Sequence, residues 1–194
     1  MPSHVEALIV RAVNGETTAF EELINFYKQP LWSFVYRLLG NYEDTNDTIQ
    51  QILIQVYVSL PGLANNARFY SWLFTIARNK CTDLLTHKAR NQREKLACEV
   101  GPEQHEEDDD SSFSPLQLLA DPTPLPDELI ERRETQQLLQ RAIAILPERQ
   151  RQVVALRYST DMSFSEISEV LGLNANTAKT LFLRAKNQLR FYLK

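Results

Sequence analysis

Cysteine and histidine are scarce in this chain, two and three residues respectively out of 194. Cys81, Cys98, His4, His87 and His105 are scattered along it, so neither a disulfide framework nor a zinc site with ligand spacing is expected. Cys81 reads as a small buried apolar residue. Glycine is thin as well, at five residues, and none belongs to a phosphate-cradling loop. No nucleophile–base pair stands out either, so an enzyme finds no support. No apolar run approaches a membrane span, and Met1 to Arg11 lacks a signal-peptide pattern. Membrane insertion is therefore not expected, the cytoplasm is the expected compartment, and no metal or other cofactor is implied.

Positive charge is missing from one stretch altogether. Glu99 to Glu131 holds eleven Asp and Glu, no Lys or Arg, and five of the nine prolines. Without it, 14 acidic residues face 21 basic ones, so the formal net charge of −4 belongs to this segment rather than to the rest of the chain. Like charges repel and proline interrupts helix, which predicts an extended tether between two helical domains. The expected division is residues 1–92, a linker over 93–131, and residues 132–194.

What is present is helical periodicity, and strand alternation does not appear. In Ser163 to Lys194, Phe164, Ile167, Val170 and Leu171 mark one face of a short helix. Gly172 permits the left-handed turn that stops it, Leu173 plugs the corner, and Asn174 caps a second helix with Ala178, Leu181, Phe182, Ala185 and Leu189 inside. The outer face shows Asn176, Thr177, Lys179, Thr180, Arg184 and Lys186, with no carboxylate from Asn174 to Lys194. Amides, hydroxyls and cations can hold phosphates and read base edges in a major groove, so the pair predicts a helix-turn-helix.

The first domain shows four helical stretches: His4 to Val13; Ala19 to Leu39, with Pro30 inside it and Gly40 stopping it; Thr45 to Leu60; and Arg68 towards Asn91. The third has an outer face of Asp44, Asp47, Gln50, Gln51 and Gln55 almost free of Lys and Arg. The fourth is basic and begins in an aromatic cluster, Phe69, Tyr70, Trp72 and Phe74, beside a loop that supplies Asn65 and Asn66. Aromatic faces next to cations can stack unpaired bases, at about 1–3 kcal/mol per base. Trp72 reads as core, whereas Tyr70 and the loop asparagines are the candidates for contact. The fold class is all-α.

Three segments together, DTNDTIQQILIQVYVSL, ARFYSWLFTIARNKCTDLL and LPERQRQVVALRYSTDMSFSEISEVLGLNANTAKTLFLRAKNQLR, resemble the extracytoplasmic-function (ECF) sigma factors of bacterial RNA polymerase. The resemblance implies a first domain that binds core polymerase and captures flipped bases of the minus-ten promoter element, and a second that reads the minus-thirty-five element as duplex. By position, Asp44, Asp47, Gln50 and Gln51 would face the polymerase. Leu63, Ala64, Asn65, Asn66, Ala67, Tyr70 and Asn79 would meet the minus-ten element. Asn174, Asn176, Thr177, Lys179, Thr180 and Arg184 would meet the minus-thirty-five element. An anti-sigma partner is implied too. Leu63-Ala64-Asn65 departs from the aromatic, basic, glycine pattern common at that loop, and Leu181 stands where a basic residue is common, so no promoter sequence carries over.

The residues alone also allow a conventional dimeric regulator that binds an operator without polymerase. Energetics bear on how the first reading would work. Separating about ten base-pair steps costs roughly 14 kcal/mol, while two or three stacked bases return about 3–8 kcal/mol. The chain cannot open DNA unaided, and polymerase contacts must supply the rest.

Overall fold

The computed structural model describes residues 3–63, 65–98 and 137–193, without the side chains of Ser3, Ala67 and residues 95–98. The acidic segment Glu99 to Glu131, Ala64 and Lys194 lie outside the described residues. Every regular element described is helical, in keeping with the all-α class. The first unit comprises α1 (Ser3–Val13), α2 (Thr17–Leu39), α3 (Tyr42–Ser59) and α4 (Phe69–Cys98), with 3-10 turns at Leu60–Gly62 and Asn66–Arg68. The second comprises α5 (137–144), α6 (Glu148–Ser159), α7 (Phe164–Leu171) and α8 (Ala175–Tyr192).

Local chemistry sets these limits. The α2 helix passes through Pro30 and stops at Gly40, whose φ of 73° is left-handed and whose N–H returns to the Tyr36 carbonyl at 2.8 Å. Asn41 caps α3 by accepting from the Asp44 N–H at 2.9 Å, so that helix starts three residues before Thr45. No glycine or proline interrupts Phe69 to Cys98, and Arg90 pairs with Glu94 one turn on at 2.8 Å. As a result α4 runs past Asn91, and its last turns occupy the first residues of the stretch expected as linker.

The core of the first unit gathers around α2. Leu23, Leu31, Phe34, Val35 and Leu38 are buried against Leu8 and Ile9 of α1, Ile52 and Val56 of α3, and Phe69, Leu73, Phe74 and Ala77 of α4. Phe34 meets Phe74 edge-on at 5.4 Å. Each such side chain contributes about 1.5–3 kcal/mol on burial. Cys81 is fully buried among them, and burial pushes its thiol pKa up to about 12.

The apolar core does not end with the first unit. Val153, Ala155, Leu156, Met162, Ile167, Val170, Leu171 and Ala178 belong to the same continuous cluster, through packing of α6 on α2 and of α7 on α4. A smaller cluster, Ala142, Ile143, Leu146, Val154, Ala185 and Leu189, holds α5, α6 and α8 together.

Candidate nucleic-acid interface

The corner between α7 and α8 is fixed by a short run of specific residues. Ser163 and Glu166 form a reciprocal capping box: the Ser163 N–H donates to Glu166 Oε2 at 2.8 Å, and the Glu166 N–H to Ser163 Oγ at 3.3 Å. Gly172 closes α7 at φ 62°, ψ 41°, with the Leu173 N–H returning to the Ser168 carbonyl at 2.9 Å. Asn174 Oδ1 accepts from the Asn176 N–H at 2.9 Å. The carbonyl oxygen of this side chain is therefore committed to starting α8, which places Asn174 at the site as a cap before anything else.

Ala178, Ala185 and Leu189 are buried along α8, with Leu181 and Phe182 half-buried beside them. That packing turns Asn176, Thr177, Lys179, Thr180, Arg184, Lys186 and Arg190 outward on exposed positions. The Thr180 hydroxyl donates to the Asn176 carbonyl at 2.8 Å, leaving its lone pairs to accept. None of the ion pairs among the described residues involves α8, so its cations have no carboxylate neutralising them. Sequence reasoning passed over Leu183, which is 51% exposed and lies one turn beyond Lys179 and Thr180 on the same face. Its i+4 spacing from Lys179 was the available signal, and an apolar side chain there suits a thymine methyl group.

The loop before α4 borders an open cleft of about 430 Å³ whose wall includes Leu63, Asn65, Arg68, Ser71 and Trp72. Asn65 and Arg68 are exposed, and Asn66 is half-buried. Tyr70 does not join them. It packs against Tyr27 and Phe74, each at 5.1 Å between ring centres, with its hydroxyl beside Thr160. Burial pushes its pKa up to about 12. Trp72, read from the sequence as core, is the aromatic that reaches the cleft, while Phe69 is fully buried. Asn79 is exposed further along α4, its Oδ1 accepting from Arg78 Nε at 3.1 Å. Arg78 itself has a pKa lowered by burial, with Arg149 of α6 adding like-charge repulsion.

On α3, Asp47, Gln50 and Gln51 are exposed along one stripe. Asp44 is half-buried and forms an ion pair with Lys88 of α4, so its charge is partly neutralised within the chain. The stripe continues through Ile54 and Val58, 66% and 70% exposed, which sequence reasoning missed although they follow Asp47 at i+7 and i+11. Among the described residues there is no cluster of three or more His, Cys, Asp or Glu able to hold a metal ion, and no helix long and apolar enough to cross a membrane.

Comparison with known proteins bears on both units. Residues 23–91 match the family model for sigma-70 region 2, and residues 136–189 the model for sigma-70 region 4. The ECF RNA polymerase sigma factor SigW of Bacillus subtilis is 29% identical over 194 residues, covering 100% of this chain and 99% of SigW. The ECF RNA polymerase sigma-E factor of Escherichia coli is 26% identical over 184 residues, covering 95% and 91%. Two solved structures share the fold. CnrH in complex with the cytosolic domain of CnrY aligns with a TM-score of 0.68 at 20% identity, covering 98% of this chain and 97% of that one. The sigma factor RpoE, in complex with the anti-sigma factor NepR from Bartonella quintana, aligns at 0.66 and 20%, covering 90% and 96%.

Proposed function

We propose a division of promoter recognition along this chain, from the premise that it belongs to the extracytoplasmic-function sigma factors of bacterial RNA polymerase. It acts as a sigma factor, and the assignment of surfaces is our reading. The α8 face of Asn176, Thr177, Lys179, Thr180 and Arg184 enters the major groove of the minus-thirty-five element, with Leu183 against a thymine methyl. The cleft lined by Leu63, Asn65, Arg68 and Trp72 receives unstacked minus-ten bases, with the rest of the loop from Leu63 to Ala67 contributing to the same element, and Asn79 meets the same strand beyond it. The α3 stripe of Asp47, Gln50 and Gln51, extended by Ile54 and Val58, docks on core polymerase.

The observation that carries this reading is the pairing, on one chain, of a capped helix-turn-helix whose outer face lacks carboxylates with a cleft combining an amide, a guanidinium and an indole. Each part alone has blander explanations, and their conjunction suits a protein that reads duplex and single strand together. We assign the chain no catalysis, because the bond-forming chemistry of transcription is the polymerase's. It works in the cytoplasm, where promoter DNA and core polymerase are. An anti-sigma factor regulates it, a reading favoured by the presence of one in the complex of the Bartonella quintana sigma factor. Residues 1–92 and 132–194 act as the two working domains.

Charge reversal tests the docking surface. Asp47→Lys with Gln50→Lys changes two exposed positions, so helix content and thermal unfolding stay as in the parent chain. Co-elution with core polymerase is expected to disappear. Undiminished co-elution rejects α3 as the docking face.

A further inference from the structure

We infer that Arg149 and Arg157 are positioning residues for duplex reading: from α6 they hold α7 at both of its ends, and so set the angle at which α8 meets the major groove. The inference deepens the minus-thirty-five reading above and rests on it.

Helix α7 is only eight residues long. Two turns are marginal as a helix by themselves, so its direction has to come from its neighbours. At its start, Arg157 Nη1 donates to the Met162 carbonyl at 2.6 Å, just before the Ser163 cap. Met162 is itself held: its side chain is fully buried, and its N–H donates to Thr160 Oγ1 at 3.3 Å. At the other end, Arg149 Nη1 donates to the Leu171 carbonyl at 3.3 Å. That carbonyl is one of those a helix C-terminus leaves short of partners, and a cation suits the negative end of the helix dipole. The two arginines stand eight residues apart on α6, a span that matches the eight residues of α7, about 12 Å in each case. Neither belongs to an ion pair among the described residues, so no carboxylate draws them away from the two carbonyls.

Both ends of this clamp lead to α8. Leu171 runs straight into the corner of Gly172, Leu173 and Asn174, and Asn174 is the cap from which α8 starts. The second link is aromatic. The Arg157 guanidinium lies 5.3 Å from the centre of the Phe164 ring, and Phe164 meets Phe182 of α8 edge-on at 5.5 Å. Phe182 also meets Tyr158, the neighbour of Arg157, at 5.9 Å. The inner side of α8 is thus seated on rings from α6 and α7 that the same arginine covers.

The consequence falls on sequence discrimination. Asn176, Thr177 and Thr180 have short side chains, which reach base edges over a narrow range of helix angles. Lys179 and Arg184 are long and can follow a phosphate through a small change of angle, so loosening the clamp costs base reading before it costs phosphate binding.

The test is the double variant Arg149→Met with Arg157→Met, which keeps the aliphatic stems and removes both donors and both charges. Holoenzyme made with the full chain is titrated by fluorescence anisotropy on a duplex bearing a selected minus-thirty-five element and on one with that element scrambled, over a range of salt. The clamp predicts that the ratio of the two affinities falls at least about fivefold, the size of one well-aligned base contact. It also predicts that the slope of log affinity against log salt shifts by less than one phosphate contact, about 0.9. A slope flatter by about 1.8 with the ratio intact overturns the inference, since both arginines would then be touching phosphates themselves. An unchanged ratio with an unchanged slope overturns it as well. If the double variant loses helix content by circular dichroism, the two single variants take its place, each with the same expected direction. A parent holoenzyme that does not distinguish the two duplexes rejects the α8 reading itself. The clamp is then judged by amide hydrogen exchange, where faster exchange along α7 in the variant upholds it and unchanged protection rejects it.

Discussion

Replacing Lys179 and Arg184 with glutamine should flatten the salt dependence of promoter binding by a calculable amount. Helix α8 exposes Lys179, Arg184, Lys186 and Arg190, and none is paired with a carboxylate among the described residues. Each phosphate contact contributes about 0.9 to the slope of log affinity against log salt on duplex DNA. If all four cations touch phosphates, the share of α8 is a slope of about −3.6, and the double variant retains about −1.8. Between about 50 and 200 mM salt, the parent should therefore lose about twelvefold more affinity than the variant. Fluorescence anisotropy of polymerase holoenzyme on a duplex bearing a selected minus-thirty-five element gives both slopes, and contacts made by the polymerase cancel in the comparison. Both positions are exposed and glutamine favours helix, so thermal unfolding should move little. Parallel slopes for parent and variant would refute α8 as the phosphate-binding helix.

Gly172→Ala tests the corner on which α8 depends: at φ 62° with nothing within 4 Å of a Cβ, the cost is conformational alone, about 1–2 kcal/mol in denaturant unfolding. Gly40→Ala should cost more than that, because the same left-handed penalty is joined by displacement of Gln140, and equal losses at the two sites would count against the close approach there. Cys81, its thiol pKa raised to about 12, stays protonated through neutral and mildly alkaline pH. It should resist thiol reagents in the native chain and react once unfolded; rapid native labelling would contradict its burial.

The helices were legible in the sequence where an apolar stripe ended on a residue with one structural use. Gly40 and Gly172 stop α2 and α7, and both take positive φ. Less was legible where a helix is covered on two sides. Helix α6 packs on α2 along one flank and on α8 along another, so Gln150, Gln152, Val153, Val154, Ala155 and Leu156 are all buried and no single stripe emerges. The far end of α4 was missed because no breaker marks it before Cys98. At the candidate sites, residue type predicted the exposed face of α8 but exchanged two aromatics beside the loop: Trp72 lines the cleft, and Tyr70 turns to Thr160. That exchange depends on the second unit, whose contacts with the first join residues more than a hundred positions apart in sequence, such as Arg37 and Ser159. Local periodicity carries no record of such pairs.

The central claim is that this chain gives core polymerase its choice of start sites. Transcription in vitro by purified core polymerase on a library of promoter fragments, with and without the chain, measures that choice directly. The account predicts a set of start sites that appear only with the chain and share two upstream elements, one opened and one left as duplex. The same start sites in both reactions would contradict it.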